Sequence, residues 1–145
     1  QQLYRIIPRA MLFAKTGRKL QLHGGGRSIR SFIHIEDVAE ATRKIAIDGT
    51  VGSAYHISTA STCSIRELVD QICQMTGVSF EDLVEISEDR LGKDEAYLLD
   101  STRLRNDLGW SDTRSLRQGL TETVAWMEDN LSQLQNCPDD YIHLP

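Results

Sequence analysis

The apolar positions change period along the chain, and each change marks an element. Ile6 to Lys15 carries apolar residues at near-helical spacing, with Pro8 suited to the first turn of a helix and Gly17 to its stop. "KLQLHG" (19–24) then alternates with the period of two that a strand shows, and Gly24, Gly25 and Gly26 supply a turn. "SFIHI" (31–35) predicts a second strand. It leads into Glu36 and Asp37, which can cap and charge the start of a helix running to about Ile47 that buries Val38, Ala41 and Ile45. "DGTVG" reads as a turn and "SAYHIST" (53–59) as a strand. Ser64 and Glu67 form an S-x-x-E capping box ahead of Leu68, Val69 and Ile72, and Gly77 ends that helix.

Further on, "DLVEISED" reads as an extended segment and "AYLLD" as a short strand. Asp100 or Ser101 caps a short helix that stops at Gly109, before Trp110. Ser115 and Gln118 repeat the capping-box pattern and open a last helix, 116–134, with Leu116, Leu120, Val124, Met127, Leu131 and Leu134 along one stripe. Residues 135–145 read as a loosely held tail, and 1–134 as one domain. Strands alternating with helices place the chain in the α/β class.

Composition narrows this picture. A 145-residue chain is one domain in length and buries roughly 70% of its unfolded surface, so a single core is expected. Hydrophobic residues at 40% and charged ones at 26% exclude a disordered class. No apolar run approaches the ~20 residues of a membrane span, and no signal-peptide layout is present, so no membrane partner and a cytoplasmic setting are expected. Cys63, Cys73 and Cys137 show no CxxC spacing and the four histidines no HExxH, so no metal is expected.

The distribution of charge says more than the net value of −5. Arg5, Arg9, Lys15, Arg18, Lys19, Arg27 and Arg30 precede the first carboxylate, Glu36. A local cationic face on an acidic chain points to a small anionic ligand, where a nucleic-acid groove would be basic over a larger area with interleaved aromatics. A solvated basic surface is the plainer alternative. The glycine triplet is not a nucleotide fingerprint: there is no GxGxxG, and the glycines lead into a strand where a dinucleotide fold would place a helix N-terminus.

Taken together, "RIIPRAM", "KLQLHGGGRSIRSFIHIEDVAEA", "YHIST", "SIRELV", "DRLGKDEAYLLDSTRLRNDLGW" and "SLRQGLTETVAWM" resemble the C-terminal portion of an extended short-chain dehydrogenase/reductase, over nearly all of residues 1–134. The order and spacing are similar to the sugar-nucleotide epimerase and dehydratase branch. Within it they lie closest to the nucleotide-sugar 4,6-dehydratases, with dTDP-glucose as the expected substrate. The resemblance implies an α/β substrate-binding portion lacking the main Rossmann NAD-binding portion, which would lie before Gln1 as a missing N-terminal domain. In that family NAD and a Tyr-x-x-x-Lys pair take a hydride from sugar C4, water is eliminated across C5 and C6, and the hydride returns to C6. This sequence has no Tyr-x-x-x-Lys, so no catalytic residue is expected in it, and NAD is expected only in the intact enzyme.

What the resemblance does imply here is a grip on a nucleoside diphosphate sugar. Gln21 and His23 stand where the family presents a small or flat residue and an aromatic to the base. Arg30 stands at the diphosphate arginine, whose planar guanidinium can make two parallel bonds to phosphate. Arg90 stands at a second diphosphate arginine, and Lys93 where a phosphate or sugar contact is common. Arg5 and Ile6 align with a pair that touches substrate partly through backbone. Ser61 takes the place of a usual Asn, which leaves the nucleotide open. Each has a structural alternative: Arg30 could pair with Glu36 or Asp37, Arg90 with Glu88, Asp89 or Asp94, and His23 could be a plain strand residue. His34 and His56 read as structural, and Tyr55 and Tyr97 as core aromatics. The same lobe would serve a UDP-sugar 4-epimerase or decarboxylase, or a non-catalytic interaction module. A chain lacking its partner domain is also expected to self-associate.

Overall fold

The computed structural model of the chain describes residues 2–89, 92 and 94–140. In chain order the elements are α1 (Ile6–Thr16), β1 (Leu20–His23), a glycine turn (Gly24–Gly26), β2 (Ile29–Ser31), α2 (Ile35–Asp48), β3 (Thr62–Ser64), α3 (Ile65–Thr76), α4 (Phe80–Leu83), β4 (Val84–Ser87), β5 (Ala96–Tyr97), α5 (Thr102–Leu108) and α6 (Leu116–Leu134). They fall into two compact units. The first comprises Gln1–Arg27, Ile65–Lys93 and Leu120–Pro145; the second comprises Ser28–Ser64 and Asp94–Gly119. The mixed α/β class holds.

In the first unit α1 ends because Gly17 adopts φ 68°, a left-handed conformation, and the backbone N–H groups of Gly17 and Arg18 both donate to the Phe13 carbonyl. Helix α1 packs on α3 and α4. Met11, Leu12, Leu68, Val69, Ile72 and Leu83 are fully buried, each side chain contributing about 1.5–3 kcal/mol of transfer free energy. Strand β1 pairs in parallel with β4, Gln21 opposite Glu85 and His23 opposite Ser87. Leu20 and Leu22 are buried while Gln21 is exposed, so Gln21 and His23 share the face of β1 turned away from the core. In the tail, Arg9 pairs with Asp140 at 2.8 Å, and Arg18 pairs with Asp139.

The second unit holds a three-stranded sheet in the order β3-β2-β5, with β2 antiparallel to β3 and parallel to β5. Its core gathers Ala41 of α2, Leu104 of α5 and Trp110, with Ile33, Ile45, Tyr55, Ile57 and Leu108 packed against them. His34 caps α2, its Nδ1 accepting from the Glu36 N–H at 3.3 Å, which gives that histidine a structural task. Ser115 and Gln118 form the reciprocal box at the start of α6: the Ser115 N–H donates to Gln118 Oε1 at 2.9 Å and the Gln118 N–H to Ser115 Oγ at 3.3 Å.

Three expectations are corrected. Extended pairing in the "SFIHI" region ends at Ser31. "SAYHIST" belongs to no strand: Tyr55 and Ile57 are half-buried and His56 is exposed, so the alternation is there without a ladder. Tyr97 is 59% exposed and is not a core aromatic.

Candidate functional site

The first unit carries a cavity of about 530 Å³ where the start of α1 meets β1. Its lining includes Tyr4, Ile6, Arg9, Gln21, His23 and Gly26. Ile6 and Arg9 are three apart on one face of α1, and Gln21 and His23 two apart on one face of β1; the packing of α1 beside β1 brings all four to the same cavity.

His23 is held on its Nδ1 side. That nitrogen lies 3.2 Å from the Glu88 carbonyl and 2.8 Å from Ser87 Oγ. Two partners on one ring edge fix the plane of the imidazole, as a stacking surface requires. Gln21 is held as well, its Nε2 donating to the Glu85 carboxylate across the strand pair. The Arg9 guanidinium lies over the Phe13 ring at 5.1 Å and pairs with Asp140.

All three glycines of the turn have positive φ, of 59°, 67° and 73°. A Cβ on Gly24 would stand 2.3 Å from the carboxyl carbon of Asp89, and one on Gly26 would stand 2.9 Å from the Arg66 backbone nitrogen. The triplet therefore lets the chain after β4 and the start of α3 close against the turn. In the chain it leads into strand β2 and not into a helix. Among the described residues the turn carries no G-x-G-x-x-G fingerprint opening a helix. Among those residues, too, no cluster of His, Cys, Asp or Glu could hold a metal ion, and no helix is long and apolar enough to cross a membrane.

Arg5 precedes α1 and rests its guanidinium 5.3 Å from the Tyr4 ring centre. Arg30 and Ser61 belong to the second unit. Arg30 donates to the carbonyls of Ile29 at 2.7 Å and Asp94 at 3.1 Å. It pairs with neither Glu36, which is bound by Arg114 at 2.6 Å, nor Asp37. Ser61 is exposed, its N–H donating to Thr59 Oγ1 at 3.1 Å. Arg90 and Lys93 lie outside the described residues.

The second unit also has a buried polar centre. Asp37 accepts from the Thr113 N–H at 3.0 Å, the Thr113 hydroxyl at 2.8 Å and the Arg114 N–H at 3.1 Å. Burial alone would raise its pKa, but those donors outweigh it and hold the carboxyl below the ordinary aspartate value. Asp112 is treated likewise: burial acts upward, and the Thr59 hydroxyl and Arg105 bring it below its usual value. Both are committed to structure. Burial pushes the Cys73 thiol up, away from the thiolate form.

Sequence reasoning placed Ile6, Gln21 and His23, and they share one cavity. It did not place Tyr4 and Arg9 there, although the i, i+3 step from Ile6 to Arg9 is visible in the sequence. Nor did it find Glu85 and Ser87, whose role depends on a strand pairing across 64 residues.

The chain is similar to several known proteins. A dTDP-glucose 4,6-dehydratase of Neisseria gonorrhoeae is 34% identical over 142 residues, covering 91% of this chain and 41% of that protein. The crystal structure of a Bacillus anthracis dTDP-glucose 4,6-dehydratase in complex with NAD superposes with a TM-score of 0.84 at 31% identity, over 91% of this chain and 42% of that one. The Bordetella bronchiseptica enzyme WbmF, solved with NAD+ and UDP, gives a TM-score of 0.76 at 31% identity, over 90% of this chain and 38% of that one. The chain thus spans about two fifths of the length of these relatives. The family model for GDP-mannose 4,6 dehydratase matches residues 1–123, and with that match the chain belongs to the GDP-mannose 4,6 dehydratase family.

Proposed function

We propose that this chain is the C-terminal, substrate-binding part of an NAD-dependent nucleotide-sugar dehydratase acting on dTDP-glucose, and that it grips the nucleoside diphosphate. The observation that carries the reading is the cavity of the first unit, where an oriented imidazole and an oriented amide stand side by side above two buried leucines. A flat ring and a polar edge reader are what a base requires. Ile6 lines the same wall and Arg5 flanks it. Arg30 and Arg90 are the diphosphate ligands in this reading, with Lys93 and Ser61 contributing phosphate or sugar contacts. Relatives solved with NAD, and one with UDP as well, support a nucleotide ligand.

In the intact enzyme the hydride transfers at the sugar are chemistry that NAD would supply. This chain's own residues orient the substrate and perform none of those transfers. The cytoplasm, where activated sugars and NAD are available, is the setting we assign. The UDP in the Bordetella enzyme favours one second reading, the same lobe serving a UDP-sugar with epimerase or decarboxylase chemistry.

Calorimetry of the 145-residue chain with dTDP and UDP tests the reading. Weak binding that Arg30→Ala removes is the expected result, and no heat at millimolar nucleotide would overturn a site carried by this chain.

A further inference from the structure

Gln21 and Glu85 face each other across β1 and β4, and the contact is polar in one direction only. A glutamine amide is two-faced, one end donating and the other accepting, and turning it through half a circle exchanges them. A carboxylate only accepts. Glu85 therefore holds Nε2, and the carbonyl Oε1 is left as the accepting end of the side chain; among the described residues no group donates to it. Gln21 lines the cavity, and Glu85 is not among the residues that line it.

We propose that Glu85 is a positioning residue that makes Gln21 a dedicated acceptor for the imide N–H of a pyrimidine base, thymine or uracil. The inference rests on the nucleotide reading of this cavity and adds the part of the nucleotide that is read. Beyond the bond to the sugar, the ring N–H of these bases is N3–H, flanked by two carbonyls. An amide free to turn would meet a carbonyl or the N–H indifferently. One locked by a carboxylate accepts from the N–H and presents no donor to it, and the fixed imidazole of His23 two residues away restrains the ring that carries that proton.

The test pairs two ligands with three variants of the 145-residue chain. UDP and N3-methyl-UDP, which lacks the proton, are titrated calorimetrically against wild type, Glu85→Lys, Gln21→Leu and the exchanged pair Gln21→Glu with Glu85→Gln. Lysine at 85 donates to Oε1 and turns the amide round, so Glu85→Lys should weaken UDP roughly tenfold while leaving N3-methyl-UDP nearly unchanged. Gln21→Leu should do the same. The exchanged pair keeps a fixed acceptor at position 21 and should bind UDP as wild type does. Equal losses for both ligands, or an exchanged pair that fails to restore binding in a chain with wild-type circular dichroism, would overturn the inference and leave the nucleotide reading standing. No binding of UDP to wild type would overturn that reading and this inference with it.

Discussion

Asp37 Oδ1 accepts from Thr113 twice, from its backbone N–H at 3.0 Å and from its hydroxyl at 2.8 Å, and so ties the first turn of α2 to the segment that precedes α6. The aspartate is 4% exposed, and its own carbonyl accepts from the Trp110 indole N–H at 3.2 Å. One buried carboxylate thus secures a stretch of 76 residues in chain distance.

That arrangement sets a pH dependence. The folded-state pKa of Asp37 lies below its ordinary value of 3.8, so its contribution to stability is complete above that value and is lost as pH falls through the lower folded-state value. Asp37→Asn, which faces one of its donors with an NH₂ group, should cost about 2 kcal/mol near neutrality. Urea denaturation as a function of pH should show the gap between wild type and variant closing as the solution is acidified below 3.8.

Arg105 gathers a second network. It donates to Ser101 Oγ at 3.0 Å, to the Ser58 carbonyl at 3.1 Å and to Asp112 Oδ1 at 2.6 Å, and lies 4.9 Å from the Trp110 ring centre. A lysine cannot reproduce this planar fork. Arg105→Lys should cost about 1–3 kcal/mol, and a double-mutant cycle with Asp112→Asn should show coupling between the two sites.

Gly24→Ala would combine a left-handed φ with a Cβ inside the Asp89 carboxyl. Expected is a loss of about 1–3 kcal/mol, larger than that of Gly25→Ala, where a Cβ meets nothing within 4 Å. Parallel thermal melts of the two variants check the order. A smaller loss at Gly24 would mean that Asp89 moves aside at little cost.

Tyr97, Leu98 and Leu99 are 59%, 53% and 39% exposed, beginning on β5, which ends its sheet among the described residues. Apolar side chains beside an open edge favour self-association. Light scattering should show the chain associating as concentration rises, and Leu98→Lys should lower the extent. A monomer at high concentration would contradict the prediction.

How far the sequence could be read depended on the range of the interaction. Helix ends were legible because their causes lie within a few residues: Gly17 closing α1, and Ser115 with Gln118 opening α6. The "SAYHIST" segment misled because alternation records which side chains turn inward, and Tyr55 and Ile57 do turn inward against Trp110; it says nothing of a neighbouring backbone to pair with. Asp37 was read as a charge at a helix start, since its donors at Thr113 and Arg114 are reached only through the fold. In the cavity, side chains on one helix face and one strand face were foreseeable. Their cross-strand holders were not, because parallel strands are joined by long crossovers.

The pairing of β1 with β4 has a kinetic consequence. The residues that hold the cavity's amide and imidazole arrive 64 positions later in the chain, after α3 and α4 have been traversed. Closing so wide a loop is entropically unfavourable until the helical core rewards it, so the cavity's wall cannot exist as a local fragment and matures with the cooperative folding of its unit. Occupancy of the cavity would then register in the melting of the whole unit, turning a small ligand into a gauge of global stability.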